Sequence, residues 1–356
     1  MSPADRIAKT AERAAELEAP AAAGLTVEHL DCRLDVTYNW GYAETRQELR
    51  DLYTKARHSQ WISEETLPWK LDVDPSKPGF PEIVHPLFGS DLLDGLDSPT
   101  RARLDVEIWS WMLSQFLHGE QGALLAAAQL TTTVPDIDAK YYASTQVYDE
   151  GRHVEVYDRY LREKVGFSYP ISPHLKRLLD LILKDVRWDM KFLGMQIMVE
   201  GLALAAFNMI RAYTDEPLIK RLTHYVMLDE ARHVAFGVLS LRNHYDGMKE
   251  SERREREDFI YEAAVLMRDR LLFDQVWEKM GLPVDECLAI ATRSPSQQQF
   301  RQMMFSKIVP AVKKIGLLSD RLRQRFADLG ILQFEDFVDP FEAELAVPPP
   351  PLQGGW

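Results

Sequence analysis

We predict an all-α protein built on an antiparallel four-helix bundle with additional N- and C-terminal helices. Four long stretches of helical apolar periodicity follow one another between residues 98 and 245, joined by short connections. Strand-like alternation bounded by turn residues is hard to find in the sequence. Two near-identical hexapeptides, DEGRHV at 149–154 and DEARHV at 229–234, lie in the second and fourth of these stretches.

The composition is that of a globular protein with a sizeable core. Of its 356 residues, 46% are hydrophobic and 27% are charged. The net charge of −13 repels phosphate backbones, so we expect no nucleic-acid partner. Cys32 and Cys287 are the two cysteines, and they lie far apart in sequence. Neither a disulfide framework nor a thiolate metal cluster is therefore expected, as is typical of a reducing compartment.

We expect a cytoplasmic protein without membrane association. The N-terminal residues contain no apolar signal region. The longest apolar candidate, 192–210, is interrupted by Gln196, Glu200 and Asn208, and a membrane span needs about 18 uninterrupted apolar residues.

The chain is predicted to have four parts. Residues 1–96 form a helical and irregular N-terminal wrap, with helices near 3–18 and 43–58 and a Pro- and Gly-punctuated stretch after them. Residues 97–245 form the bundle and 246–340 the accessory C-terminal helices, near 249–280 and 296–328. Residues 341–356 are a Pro- and Gly-rich tail.

The bundle helices are delimited by N-cap, proline and glycine signals. The first begins at Ser98, predicted as N-cap with Pro99 after it, and ends before Pro135. The second ends at Gly166 and the fourth at the Asp246-Gly247 turn. The predicted ranges are 98–133, 138–165, 173–214 (as two helices or one kinked helix) and 217–245.

Each bundle helix carries a glutamate on its apolar stripe. Glu120 lies among Leu113, Phe116 and Ala123 in the first helix, and equivalent positions recur in the other three. The second and fourth helices add a histidine three residues later, on the same face. The full set is Glu120, Glu150, His153, Glu200, Glu230 and His233.

The spacing indicates a site built twice. Glu120 and Glu150 are 30 residues apart, as are Glu200 and Glu230, and the second pair is shifted by 80. Converging buried carboxylates repel one another unless they are neutralised. A pair of divalent or trivalent cations provides that neutralisation, and oxygen plus imidazole ligands suit iron and manganese. A structural salt bridge would explain any one of these residues, but it does not explain the duplicated register.

This ligand plan resembles the ferritin-like di-iron carboxylate superfamily in its oxygen-activating branch, over roughly residues 98–245. It is similar to the hydroxylase subunits of bacterial multicomponent monooxygenases, ribonucleotide reductase small subunits and R2-like oxidases. Acyl-carrier-protein desaturases and arylamine N-oxygenases share it. The resemblance implies a ferritin-like bundle with one metal on Glu120, Glu150 and His153 and the other on Glu200, Glu230 and His233, with one or two bridging glutamates.

The same resemblance implies roles for the residues around the ligands. Asp149 and Asp229 would accept hydrogen bonds from the far imidazole N–H of the opposite Glu-x-x-His pair. Arg152 and Arg232 would pair with these aspartates or with neighbouring carboxylates. Tyr157 matches the radical-tyrosine position of ribonucleotide reductase small subunits, although core packing or a hydrogen-bonding role also fits it.

Two further positions bear on the choice among these branches. Val226 stands where the best-known arylamine N-oxygenases have an additional ligating histidine, and Leu204 where many multicomponent monooxygenases have threonine. Gln146 and Gln196, one turn before Glu150 and Glu200, could line the cavity or satisfy each other. His118 and His224 lie off the ligand faces, and we do not expect them to be ligands.

The resemblance implies an O2-dependent oxidoreductase with two Fe ions cycling between Fe2+ and Fe3+, Mn/Fe being allowed, that hydroxylates or N-oxygenates a small organic substrate. No nucleotide-binding fingerprint is visible, so electrons would come from a separate ferredoxin or reductase. A homodimer is allowed. The alternatives are an R2-like oxidase or radical-generating subunit, a fatty-acyl desaturase, and a non-enzymatic ferritin-like iron-binding protein.

Overall fold

Helices make up the regular structure of the computed structural model, which describes residues 27–75 and 82–338. No strand occurs among these residues, which confirms the all-α prediction. Residues 33–338 belong to one compact unit, and the described residues before them, 27–32, are not helical. The helix expected near 3–18 and the tail at 341–356 lie outside the described residues.

The four predicted bundle segments are present with closely matching ends. They are preceded by α1 (Gln47–His58), α2 (Ser63–Thr66) and α3 (Asp91–Asp94). The bundle contains α4 (Ser98–Thr133), α5 (Ile137–Tyr160), α6 (Pro173–Lys184), α7 (Trp188–Phe192), α8 (Glu200–Tyr213) and α9 (Pro217–Leu241). The accessory helices are α10 (Glu250–Asp269), α11 (Asp274–Met280), α12 (Val284–Arg293), α13 (Pro295–Met303), α14 (Ile308–Lys314) and α15 (Asp320–Asp328).

The N-cap of α4 differs from the prediction. Ser98 is the first helical residue, and Asp97 is the cap: its Oδ1 accepts a hydrogen bond from the Thr100 amide at 2.8 Å. A carboxylate at this position satisfies an otherwise unpaired amide and also interacts favourably with the positive end of the helix dipole. Pro99 therefore occupies the first turn, where its missing N–H costs nothing.

The third predicted segment is divided, as one of its two predicted forms allowed, and it contains a π-helical turn that the sequence pattern did not reveal. The chain leaves α6 at Asp185 in an extended conformation. The buried Lys191 then donates from Nζ to the carbonyls of Ile182 and Leu183, at 3.3 and 3.1 Å, which satisfies the end of α6. The π-helical turn Leu193–Val199 follows α7 and leads directly into α8.

The fourth bundle helix is shorter than predicted, ending at Leu241 and not at Tyr245. Asn243 adopts the left-handed conformation at φ 61°, which a helix cannot continue through. The predicted helices 249–280 and 296–328 are likewise interrupted. One break falls at Phe273, a non-glycine residue at φ 59°. Another follows Gly316, at φ 80°.

Two helical hairpins form the centre of the fold. Helix α4 packs along α5, and α8 packs along α9, while α9 also contacts α5 and the π-helical turn. Gly237 permits this last approach, because a Cβ there would lie 2.6 Å from Cβ of Gln196. The stretch Trp188–Tyr213 is long and apolar enough to cross a membrane, but 89% of its most apolar window is buried within the protein. Core packing therefore explains its hydropathy. The domain boundaries at 96 and 245 stay predictions.

Candidate metal centre

The structure brings the six predicted ligand residues together in the bundle core. Glu120 comes from α4, Glu200 from the first position of α8, and the two Glu-x-x-His pairs from α5 and α9. All six residues are at most 5% exposed. The π-helical turn Leu193–Val199 precedes Glu200 and has no counterpart before Glu120, so the internal repeat is not symmetric at this point.

Their ligand atoms form two overlapping groups, within each of which all atoms lie within 4.8 Å of one another. One group is Glu120, Glu150, His153 and Glu230, and the other is Glu150, Glu200 and His233. Glu150 belongs to both groups. Glu230 also lies between the imidazoles, with one oxygen 3.3 Å from Nδ1 of His153 and the other 3.5 Å from Nδ1 of His233. This arrangement can hold two cations, with Glu150 and Glu230 placed between them.

The donor set fits a pair of metal ions. Oxygens of Glu150, Glu200 and Glu230 and Nδ1 of His233 are buried without a hydrogen-bond partner among the described residues, which is costly unless a cation binds them. Burial and the neighbouring Glu230 raise the pKa of Glu120 and of Glu200 well above the usual range. Four carboxylates in one dry site cannot all carry a negative charge without added cations. Metal binding would remove this conflict.

Each imidazole is oriented by an aspartate from the other hexapeptide. His153 Nε2 lies 3.1 Å from Oδ2 of Asp229, and His233 Nε2 lies 3.3 Å from Oδ2 of Asp149. This crossed pairing is the one that the resemblance implies. With an N–H donated from Nε2, each Nδ1 faces the carboxylate cluster, where it could bind a metal in place of a proton.

The two arginines of the hexapeptides hold these aspartates. Arg152 donates from one nitrogen to Oδ1 of Asp149 at 2.6 Å and to Oδ2 of Asp229 at 2.8 Å. Arg232 hydrogen-bonds to Asp229 and to the carbonyl of Leu228. Paired cations thus offset the burial of both carboxylates. Although burial opposes it, the hydrogen bond from His153 and the charges of Arg232 and Arg152 hold the pKa of Asp229 below its usual range.

Two residues of the N-terminal wrap also hydrogen-bond to these aspartates, and neither was predicted from the sequence. Gln60 donates to Oδ1 of Asp149 at 2.9 Å, and Trp61 Nε1 donates to Oδ2 of Asp229 at 2.8 Å. The Trp61 ring also lies 4.4 Å from the guanidinium carbon of Arg152. Two adjacent residues therefore bind the two equivalent aspartates, Gln60 binding Asp149 and Trp61 binding Asp229. No local sequence signal distinguishes them from other residues of the wrap.

Gln146 and Gln196 hydrogen-bond to each other, which is one of the two roles that the sequence left open. Gln146 Nε2 lies 3.0 Å from an oxygen of Glu150 and 2.8 Å from an oxygen of Glu200, so it ties two carboxylates together. Gln196, from the π-helical turn, donates to the Gln146 carbonyl at 3.3 Å. The amide pair orients the carboxylates of the second group.

Two buried tyrosines lie near the cluster with hydroxyls that have no hydrogen-bond partner among the described residues. Tyr157 packs its ring against Phe116 and Phe207, and burial together with Glu120 and Glu230 raises its pKa well above the usual range. Tyr142 was not predicted from the sequence as a residue near the site, although it lies one turn before Gln146 on the same helix face. Burial keeps both phenols protonated.

A narrow crevice opens onto one side of the cluster. It is tight, with a volume of about 20 Å³ that holds about one water molecule, and Glu120, Glu200 and Glu230 form part of its wall. Small side chains next to the ligands, at Gly119, Ala123 and Ala203, leave this space. The remaining lining residues are Gln115, Phe116, Val199, Phe207 and Arg270.

His118 and His224 are not part of the site, as expected. His118 Nε2 contacts the Tyr169 carbonyl at 2.8 Å. His224 is buried beside Tyr225, and neither ring nitrogen has a hydrogen-bond partner in the described part of the chain. Neither histidine belongs to a group of residues able to hold a metal.

A four-helix bundle whose core presents four carboxylates and two imidazoles as a dinuclear metal site defines the ferritin-like non-haem di-iron class. Residues 42–316 match the sequence profile of the P-aminobenzoate N-oxygenase AurF family, and the chain belongs to that family. It is an oxygen-dependent di-iron oxidoreductase that oxidises a small organic substrate, which confirms the predicted class and its dinuclear cofactor.

Solved structures with a related fold include R2-like ligand-binding oxidases. One, with an aerobically reconstituted Mn/Fe cofactor, is 16% identical over 76% of this chain and 93% of that one, with a TM-score of 0.48. A variant of such an oxidase with an anaerobically reconstituted Mn/Fe cofactor is 18% identical over the same shares, with a TM-score of 0.45. No curated protein sequence matches the chain.

Proposed function

We propose that Glu120, Glu150, His153, Glu200, Glu230 and His233 bind two iron ions, and that the enzyme is a monooxygenase for a small organic molecule held in the adjacent crevice. The crevice carries this proposal, because its wall contains three of the proposed ligands. A substrate that widens this crevice on binding would meet the metal centre directly. The bound metals would supply the reduction of O2 and the oxidising power.

The protein's own residues would position and protect this chemistry. The crossed His–Asp pairs fix the ligating imidazoles, and Gln146 fixes the carboxylates of Glu150 and Glu200. Phe116 and Phe207 line the crevice and keep bulk water from the reacting atoms.

The overall reaction needs an electron source. One atom of O2 enters the substrate and the other leaves as water, which consumes two electrons and two protons. We propose an external ferredoxin or reductase as the donor, since no nucleotide-binding fingerprint occurs in the sequence. A cytoplasmic location and a homodimer complete the proposal, and Mn/Fe in place of two irons is allowed.

N-oxygenation of an amine is the first reaction to test, because the family profile carries that activity in its name. Val226, buried one turn before Glu230, cannot ligate a metal. The proposed site therefore has six protein ligands and not the seven of the best-known arylamine N-oxygenases. Such a difference in ligand set could change which amines, or which C–H bonds, are oxidised.

Labelled oxygen tests the proposed reaction. Iron-loaded protein is given reductant, a panel of arylamines and aromatic hydrocarbons, and 18O2. Mass spectrometry should find one 18O atom in a product whose formation needs iron. The Glu150→Ala variant is the control and should form no product. Iron-dependent O2 consumption without 18O in any product would contradict the monooxygenase assignment.

A radical-generating or R2-like oxidase is the second candidate, favoured by Tyr157. Its buried hydroxyl has no partner in the described structure, and its ring lies next to the site. Electron paramagnetic resonance after O2 exposure distinguishes the two functions. A persistent tyrosyl signal lost in Tyr157→Phe would favour this candidate over the monooxygenase.

A further inference from the structure

An arm of the N-terminal wrap, residues 36–42, carries a row of exposed apolar side chains ahead of α1. They occur at every second position, as Val36, Tyr38, Trp40 and Tyr42, and each is between 60% and 79% exposed. The rings of Tyr38 and Trp40 stack on each other, with their centroids 5.1 Å apart. A single exposed apolar side chain needs no explanation, but a contiguous apolar row marks an interaction surface.

The residues between these side chains attach the arm to the bundle. The amide of Thr37 donates to the Thr132 carbonyl at 2.9 Å, and its hydroxyl donates to the Thr133 carbonyl at 3.3 Å. Nδ2 of Asn39 donates to the Pro135 carbonyl at 2.6 Å. The arm is therefore held at the C-terminal end of α4, and the exposed residues alternate with the attached ones.

The outer face of α4 is an uncharged surface beside the arm. Its exposed residues Gln121, Leu125 and Ala128 lie on one stripe of the helix. None of the 13 residues 121–133 is charged, although a chain with 27% charged residues would supply about three or four. The first turns of α10, by contrast, have eight charged residues among the nine at 250–258. Depletion of charge is a property of the cores of protein–protein interfaces.

We propose that the arm 36–42 and the outer face of α4 form the interface with a second copy of this chain. The arms of the two copies would pack against each other around a twofold axis. An apolar row is complementary to itself, as a twofold contact requires, and twofold dimers are the commonest oligomers. This inference gives an interface to the homodimer named in the proposed function, and it rests on that part of the proposal.

The exposed area fits such a contact. A fully covered aromatic side chain buries about 150–250 Å², so the three rings of the arm alone expose on the order of 400 Å² per chain. Val36 and the face of α4 extend this area toward the roughly 800 Å² that each partner contributes to a standard interface. Because the Tyr38 and Trp40 rings are already stacked, they would lose little side-chain freedom on binding.

A second copy fits this surface better than a transient electron donor does. Thr132 lies 12 residues after Glu120 on the same helix, which is about 18 Å along the helix axis. An electron carrier bound at the arm would therefore be far from the metal centre. Complementary charges steer transient partners together, whereas the arm and the outer face of α4 are uncharged. An apolar, aromatic surface is typical of a permanent contact.

Sedimentation of the full-length protein tests the proposal. Analytical ultracentrifugation at micromolar concentrations should find the wild type as a dimer. Tyr38→Ser/Trp40→Ser should raise the dissociation constant of the dimer at least about 100-fold, because two aromatic anchors are lost from each chain. Circular dichroism should show that this variant keeps its helical content, since both rings are exposed.

Tyr213→Ser/Met303→Ser is the matched control. It also removes two exposed apolar side chains, but from a shallow pocket between α8 and α13. This variant should remain a dimer with the dissociation constant of the wild type.

Cross-linking tests whether the two arms meet, and it does so with both rings in place. Cys32 is exposed, so the variants are made in a Cys32→Ser background. A Cβ at Gly41 meets no atom within 4 Å, so the arm should accept Gly41→Cys without strain. A short bismaleimide should join two Gly41→Cys chains, and it should leave Tyr213→Cys chains unlinked.

Each contrary outcome overturns the proposal. A monomeric wild type would mean that the surface is covered within the chain or by a different partner. A Tyr38→Ser/Trp40→Ser variant that stays a dimer would place the dimer contact elsewhere, and Gly41→Cys chains that do not cross-link would show that the arms do not meet. Because these measurements need no metal, O2 or substrate, they are separate from a failure of the oxygenase assignment, which the 18O2 experiment detects.

Discussion

His153 Nε2 lies 3.1 Å from Oδ2 of Asp229, a residue from the other hexapeptide. The same oxygen accepts from Arg152 and from Trp61, each at 2.8 Å. The carboxylate of Asp229 thus connects His153 and Arg152, both from the first hexapeptide, with Trp61 of the N-terminal wrap. The equivalent pair, His233 and Asp149, makes the two halves of the site depend on each other.

Removing the charge of Asp229 should weaken metal binding without unfolding the protein. In Asp229→Asn the imidazole of His153 loses a charged acceptor and becomes a poorer ligand. We expect about a 10- to 100-fold loss of iron affinity, measured by competition with a chelator. Asp158→Asn, an exposed change on α5, the helix that carries His153, should have no effect. Wild-type iron affinity in Asp229→Asn would argue against an orienting role.

The two hexapeptides differ at Gly151 and Ala231, and making them identical should stabilise the protein. A Cβ at Gly151 meets no atom within 4 Å, and the residue lies inside α5. Gly151→Ala should raise the free energy of unfolding by about 0.5–1 kcal/mol because alanine loses less backbone entropy in a helix. Urea denaturation measures the change. A lower stability would show that this position is not an ordinary helical one.

Gly237→Ala should have the opposite effect. The added methyl would lie 2.6 Å from Cβ of Gln196, on the π-helical turn that leads to Glu200. Overpacking of this kind costs about 1–3 kcal/mol, and we expect lower iron affinity because the turn must move. Unchanged stability and unchanged iron content in the same assays would mean that α9 and the turn are not tightly packed.

His224 should make the fold sensitive to acid. Burial, with Arg211 and Arg221 nearby, lowers its pKa to about 4, below the value of about 6.5 expected in the unfolded chain. The unfolded state therefore gains a proton first as pH falls, so stability present above pH 6.5 is lost between 6.5 and about 4. The loss is at most about 1.4 kcal/mol per pH unit.

Urea denaturation at pH 7 and pH 5 tests this, with His224→Leu compared with the wild type. The variant should lose less stability between the two pH values. His58→Leu, at an exposed position, should follow the wild type. An equal pH dependence in all three proteins would rule out His224 as the source.

Tyr157→Phe should be tolerated by the fold. The hydroxyl of Tyr157 has no hydrogen-bond partner among the described residues, so its removal leaves no other group unpaired. Melting temperature and iron content should match or exceed those of the wild type. A clear loss of either would indicate that the hydroxyl contacts a bound metal, water or substrate.

The helices and the ligand residues could be predicted because their signals are local. Apolar periodicity placed α4, α5 and α9, and a glutamate on each apolar stripe marked the core face. The internal repeat then related Glu120–His153 to Glu200–His233 without any knowledge of the packing.

What escaped prediction depends on contacts between distant parts of the chain. Gln60 and Trp61 reach aspartates 89 and 168 residues away, and Arg270 lines the crevice only because the fold places it there. The π-helical turn Leu193–Val199 is equally invisible, because its apolar residues fit an α-helix as well. The close approach of this turn to Gly237, and not the helix propensity of its residues, makes room for the π-helical backbone.

Metal stoichiometry tests the central claim most directly. Protein reconstituted with Fe2+ without oxygen is freed of excess metal, and iron per chain is measured by plasma mass spectrometry alongside circular dichroism. We predict two irons per wild-type chain, and a helical Glu150→Ala/His233→Ala variant that has lost them. A folded double variant that retains two irons per chain would contradict the assignment of the site.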